Sequence, residues 1–187
     1  IPNYNRIVCT NNGKSYVIVL PSDDIRVPVN FANEVKASIY QGRLENQTFT
    51  GKGMPFESIA VPYPTNYYID NFLLDVYVND TKWRRFDNLV HMPAGEKGYV
   101  IRTGVNSGLE IYFGNGKMGA NPQRGDEIRV EYLVTDGFSG RIGERVKENV
   151  KFTVLDVGFN VMGEEIDLND ILEMSTSVVP DFGMNPE

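Results

Sequence analysis

The stretch Leu109-Glu-Ile-Tyr-Phe-Gly-Asn-Gly-Lys-Met-Gly-Ala-Asn-Pro-Gln-Arg-Gly-Asp-Glu-Ile-Arg-Val-Glu-Tyr-Leu-Val134 decides the fold. In 127–134, Ile128, Val130 and Tyr132 fall on one face of an extended chain while Glu127, Arg129 and Glu131 fall on the other. One dry side and one wet side make a half-buried strand. Ahead of it stands Gly114-Asn-Gly-Lys-Met-Gly119, a literal G-x-G-x-x-G directly after the strand-like run 109–113. By itself that string signals dinucleotide binding. Such a site needs a helix to open at the third glycine, so that its first amides hold a pyrophosphate. Here Ala120-Asn-Pro-Gln-Arg-Gly125 follows, which cannot sustain a helix, and then a strand begins. The glycines are therefore expected to supply positive φ angles in a long, twisted hairpin connection between 109–113 and 127–134.

The same period of two recurs outward from this core, in 15–20, 34–41, 43–50, 72–78, 98–103 and 108–113. Helical periods are scarce. Asn12-Gly13, Gln41-Gly42 and Asn79-Asp80 separate such runs, and short reversals of this kind join antiparallel neighbours. Pro62, Pro64 and Asn66 interrupt the middle, so 55–70 reads as a long connection with at most a short strand at 57–61. The expected fold class is mainly β: antiparallel sheets in one or two small β-rich units, with long loops and at most a short C-terminal helix. The expected division is an N-terminal β-rich unit at 1–62, a second β unit at 63–143, and an acidic C-terminal segment or linker at 144–187. Within that segment, Ile166, Leu168, Ile171 and Leu172 among acids permit a short helix over 164–174.

Composition narrows the function. The chain has 187 residues with a net charge of -7, one Cys, one His and one Trp. A single Cys cannot form an internal disulfide, and a lone His91 excludes every site that needs two imidazoles. No apolar run approaches the roughly 18 to 20 residues of a membrane helix. The start Ile1-Pro2-Asn3-Tyr4 carries no Met, basic leader or apolar signal region, and the chain is expected to be a piece of a longer protein. The charge is unevenly placed: 152–187 hold eight acids and no Lys or Arg, while 1–151 hold 18 basic against 17 acidic residues. The body is close to neutral and the tail is acidic. That tail is expected to be a solvated linker or an acidic strip that docks on a basic neighbour.

Other constellations have ordinary explanations. Cys9 and His91 lie far apart with no pattern linking them as nucleophile and base. The pairs Asp23-Asp24 and Glu164-Glu165 would point to opposite faces of a strand, so solvation explains them better than a shared catalytic or cation site. Asn46-Gln-Thr48 and Asn79-Asp-Thr81 match the glycosylation sequon, which has meaning only in a secreted protein. Lys82-Trp83-Arg84-Arg85-Phe86 interleaves bases and rings as single-strand nucleic-acid sites do, but Asp87 follows at once and the electrostatic footprint is small. Trp83 and the tyrosines around Pro64 also admit a carbohydrate-binding module. A third reading is a non-catalytic fragment of a larger enzyme whose active site is shared with chain beyond this sequence.

Taken in order, Val76-Tyr-Val-Asn-Asp-Thr-Lys-Trp83, Tyr99-Val-Ile-Arg-Thr103, 109–125, Ile128-Arg-Val-Glu-Tyr132 and Asp136-Gly137 resemble the baseplate J-like family of contractile phage tails. Its pattern runs V-x-V-N-x-x-x-W, then F-G-[DN]-G, then G-x-x-P-x-x-G, then an alternating strand ending in Tyr. Ala37-Ser-Ile-Tyr-Gln-Gly42 with Phe49-Thr50 is similar to the segment upstream, so the resemblance covers roughly 16–143. Asn115 stands where Asp is commoner, and Arg141 where a Gly-Asn pair often closes the motif. The resemblance makes Trp83, Gly114, Gly116, Gly119, Pro122, Gly125 and Tyr132 structural motif residues. It implies no enzyme activity, metal, cofactor or nucleotide. The implied role is a structural component of a baseplate wedge in the virion, assembled in the host cytoplasm. Its implied partners are other wedge subunits and a second copy of itself, with no nucleic acid, membrane or small-molecule substrate.

Overall fold

Short strands, several of them with alternating burial, build most of the computed structural model, which describes residues 5–9, 13–19, 37–62, 67–104, 108–137 and 152–172. The strands are β1 (Asn5–Cys9), β2 (Ser15–Val19), β3 (Ser38–Gln41), β4 (Arg43–Thr50), β5 (Ser58–Val61), β6 (Tyr68–Val78) and β7 (Thr81–Lys82). They continue as β8 (Arg84–Arg85), β9 (Gly98–Thr103), β10 (Leu109–Phe113), β11 (Glu127–Thr135), β12 (Phe152–Val154), β13 (Val157–Phe159) and β14 (Glu165–Asp167). The protein is mainly β, with several antiparallel sheets and, among the described residues, no closed barrel. No described helix is long and apolar enough to cross a membrane.

The chain forms two compact units, one from 1–43 with 135–185 and the other from 44–134. These boundaries differ from the expected division at 62/63 and 143/144. Pro62 does break the chain, but β5 before it and β6 after it belong to the same unit, because both contribute to one core. Nor is the described part of the acidic segment a linker. Its strand β12 pairs antiparallel with β1, Ile7 opposite Val154 and Cys9 opposite Phe152.

The unit 44–134, the larger of the two in described residues, contains two sheets, ordered β5-β10-β9-β8 and β4-β11-β6-β7. One cluster joins them: Val61, Ile111 and Phe113 from the first meet Val76, Ile128 and Val130 from the second, all almost fully buried. The Tyr99 hydroxyl donates across to the Leu74 carbonyl at 2.9 Å, satisfying the one polar atom on that ring. The expected hairpin from 109–113 to 127–134 does not form. β10 pairs with β5 and β9, and β11 lies in the other sheet, so 114–126 is a crossing between sheets. Gly42 likewise stands between β3 in one sheet and β4 in another, and the two strands are not paired. Asn79-Asp80 behaves as expected: both take positive φ, 47° and 59°, and set Val78 opposite Thr81 in the β6–β7 hairpin. The β8–β9 pairing is parallel, Arg84 with Gly98 and Arg85 with Tyr99, and the dozen-residue length that such a crossover needs is supplied by 86–97.

The smaller unit holds the sheet β12-β1-β2-β3 and the separate hairpin β13-β14. Ile7, Cys9, Tyr16, Ile18, Val154 and Leu168 form its core, with the Tyr16 and Phe152 rings edge to face at 5.7 Å. The helix permitted over 164–174 is absent from its described part. Glu165–Asp167 is a strand and Leu168–Asp170 a single 3-10 turn capped by the Asp167 side chain, while 173 and 174 lie outside the described residues.

Asp156, placed in an acidic tail by its neighbours, is tied to β1. Its carboxylate accepts from the Arg6 backbone amide at 2.6 Å and from Arg6 Nε at 2.8 Å. Burial pushes the Asp156 carboxyl up, but the Arg6 hydrogen bonds and charge outweigh it and hold the group below its ordinary value of 3.8. A lowered folded pKa gives stability that is present above the ordinary value and lost as pH falls through the folded one. We expect acidification from pH 6 to pH 2 to destabilise the smaller unit less in Asp156→Asn than in the parent. Hydrogen exchange of the β1 amides at each pH measures the difference, and equal losses would show that the pair carries no pH dependence.

Candidate functional site: the glycine crossing and its clamps

The crossing 114–126 gathers five of the seven motif residues, and its backbone explains what it can and cannot do. Strand β10 ends at Phe113 because Gly114 turns inward. A Cβ there would overlap the Met118 carbonyl oxygen and the Gly119 carbonyl group. The Gly114 amide donates to Ala120 at 2.9 Å, Asn115 to Met118 at 3.2 Å and Gly116 to Gly119 at 2.7 Å. The Asn115 side-chain oxygen accepts from Lys117 and Met118 at 3.0 and 2.8 Å. Asp would make the same two bonds. Gly119 then donates to Pro93 at 3.1 Å and Ala120 to Glu96 at 2.7 Å. Every amide from Gly114 to Ala120 thus has an acceptor within the chain.

A phosphate cradle works the opposite way. It presents amides that await an anion, at a helix N-terminus or a nest. Here they are committed, and Gly116 and Gly119 take positive φ, 89° and 71°, to close the knot on itself. The expected positive φ angles are present at these glycines and at Gly125, while Gly114 is required for close approach instead.

Two clamps hold the knot and the turn after it. One is the segment 93–96, which receives Gly119 and Ala120 and returns the Gly95 amide to the Gly116 carbonyl at 3.1 Å. Beside it the buried Met92 side chain lies against Gly119. The other is 51–57: Gly51 donates to Asp126 at 2.8 Å, Gly125 donates back to Gly51 at 2.9 Å, and the buried Pro122 lies beside Gly51. Glu57 organises this second clamp and was not legible in the sequence. It is the buried charged residue of the described chain, at 3% exposure, and its carboxylate accepts from Lys52 at 2.9 and 3.0 Å and from Gly53 at 3.1 Å. Its signal would have been a lone acid between a glycine pair and an alternating strand.

Trp83 and Tyr132 stand in the core of the same unit. Trp83 is 5% exposed, with its ring edge-on to Phe113 at 5.5 Å. Tyr132 is 2% exposed and its hydroxyl accepts from Gln47 Nε2 at 2.9 Å. Burial and the Glu45 charge raise the Tyr132 phenol above its ordinary value, against the Gln47 hydrogen bond. Asp136, at the end of the motif series, belongs to the smaller unit, where it accepts from Lys14 Nζ at 2.9 Å and Gln41 Nε2 at 3.2 Å.

These placements bear on each alternative. A buried Trp83 offers no platform to a sugar or a base, so the carbohydrate reading loses its motive and the 82–86 cluster loses its stacking ring. Lys82 instead pairs with Asp75 at 2.7 Å, and Arg84 lies over Phe86 at 5.0 Å. Within 114–119 the close packing is at Gly114 and Gly119, while Gly116 and Lys117 are exposed. Cys9 is buried in the smaller unit, and His91 is exposed on the 3-10 turn of the larger. Asp23 and Asp24, and the tyrosine and proline at 63–64, lie outside the described residues. Among the described residues no three His, Cys, Asp or Glu side chains are grouped to hold a metal ion. The Asn79 sequon is engaged in the fold: its amide group donates to Asp126 at 2.8 Å and accepts from Glu127 at 3.0 Å. No family model, no curated protein and no solved structure matches the chain.

Proposed function

We propose that this chain is a structural module of a contractile-tail baseplate wedge, most like the wedge subunit of T-even phages. The observation that carries the reading is the motif series from Val76 to Gly137, whose glycine crossing uses its amides to fasten itself. A knot tied to two separate loops and seated on a two-sheet core is suited to transmitting force without deforming, because packed interiors are stiff. The module would act through its surfaces, meeting other wedge subunits and a second copy of itself around the tail tube.

The test is co-expression with the other wedge components, followed by light scattering of the purified material. We expect a stable complex of defined mass. A solitary monomer under every condition sinks the reading.

A further inference from the structure

We infer that the β13–β14 hairpin is a docking finger for a protein surface with an apolar groove rimmed by Lys and Arg. The register makes the case. Val157 lies opposite Asp167 and Phe159 opposite Glu165, so one face of the hairpin carries an apolar column beside an acidic one. The other face is the anchor: Gly158 sits against Leu168, which is buried in the core of the smaller unit. The outward column is uncovered, with Phe159 62% exposed.

The tip adds two exposed apolar residues and is held in shape. Asn160 Oδ1 accepts from the Met162 and Glu164 amides at 2.9 and 3.0 Å, and Asn160 Nδ2 donates to Glu164 at 2.7 Å. Gly163 closes the turn by donating to the Asn160 carbonyl at 3.0 Å. This scaffold presents Val161 fully exposed and Met162 at 82%. Apolar side chains held in water on an exposed turn gain nothing in the isolated chain, and exposed apolar residues gathered on one hairpin mark an interaction site. A preformed turn also lowers the ordering cost of binding.

Charge identifies the occupant. Between 152 and 172 there are five acids and no Lys or Arg, and only Asp156 is neutralised by a described cation. The remaining carboxylates ask for a cationic rim. The chain's own 173–187 carries three more acids and no base, which makes it a poor cover. An anionic lipid surface is repelled for the same reason.

The inference rests on the assembly reading only in taking the partner to be a protein, and the experiment separates the two. In the cell that produces the chain, Val161 is replaced by p-benzoylphenylalanine, and the irradiated product is mapped by mass spectrometry. The expected cross-link joins a different protein at an apolar residue flanked by Lys or Arg. Titration calorimetry with that purified protein should then show Phe159→Asp binding at least tenfold more weakly with unchanged circular dichroism. Glu165→Gln should reduce the salt dependence of binding. Cross-links only to a second copy, to lipid, or within the chain to 141–151 overturn the inference, as does no cross-link or Phe159→Asp binding like the parent. A basic-rimmed partner outside any tail assembly would leave the finger standing and remove the baseplate reading. Wedge complexes that form equally with Phe159→Asp would do the reverse.

Discussion

Gly114→Ala is expected to destabilise the larger unit by about 4 kcal/mol or more, the range in which a substitution disrupts a packed backbone instead of trimming a contact. The added methyl meets the Met118 carbonyl oxygen and the Gly119 carbonyl group, which are backbone atoms and cannot swing aside. To relieve the overlap the knot must open, which breaks the Gly114–Ala120 and Gly116–Gly119 bonds and displaces the carbonyl that accepts from Phe56 at 2.9 Å. Gly116→Ala is the control. Nothing lies within 4 Å of a Cβ there, so only the left-handed φ opposes it, at about 1–2 kcal/mol. Urea unfolding followed by Trp83 fluorescence reads the larger unit alone, since that chain segment holds the protein's one Trp. If the two variants unfold at the same urea concentration, the knot is not the close-packed element described.

This ordering of two glycines within one motif shows what the sequence could and could not carry. The string G-x-G-x-x-G is the same whether its amides wait for a phosphate or bond one another. What separated the cases was Ala120 to Gly125, a run unable to continue as a helix, and that local fact was enough to reject the nucleotide reading. Strand positions were legible for the same reason. In β4 and β11 burial alternates over six residues, and those strands fall where the period of two puts them.

Pairing was not legible, because a strand's partner is chosen by its buried face and not by its nearest neighbour in sequence. β10 was expected beside β11, across a glycine loop that looks like a hairpin. It pairs instead with β5 some fifty residues earlier, Ile111 opposite Ile59, since that arrangement sends Leu109, Ile111 and Phe113 into the shared core. The three-residue strands β12, β13 and β14 are too short for any period to be counted. Glu165 and Asp167 around Ile166 therefore looked like the acidic start of a helix, although Ile166 is the inward residue of a strand. The acidic tail was likewise misjudged from charge alone: Asp156 is part of the fold through Arg6, and Asp167 and Glu165 lie opposite exposed Val157 and Phe159.

Trp83→Ala is expected to remove about 3–5 kcal/mol from the larger unit, the usual cost of emptying an aromatic site that the surrounding core cannot refill. The indole is edge-on to Phe113, itself fully buried at the end of β10, immediately before Gly114. A cavity at Trp83 therefore loosens the strand end from which the knot starts, and the two losses should couple: the double variant Trp83→Ala with Gly114→Ala should be less destabilised than the two effects summed. Trp83→Phe keeps a ring against Phe113 and should retain most of the stability. The same substitutions separate a core residue from a ligand platform. A sugar-binding Trp on a surface would leave unfolding nearly unchanged while abolishing glycan binding, whereas the buried ring predicts a large shift in the urea midpoint followed by circular dichroism. If Trp83→Ala unfolds like the parent and loses binding on a glycan array, the core placement and the structural reading built on it both fail.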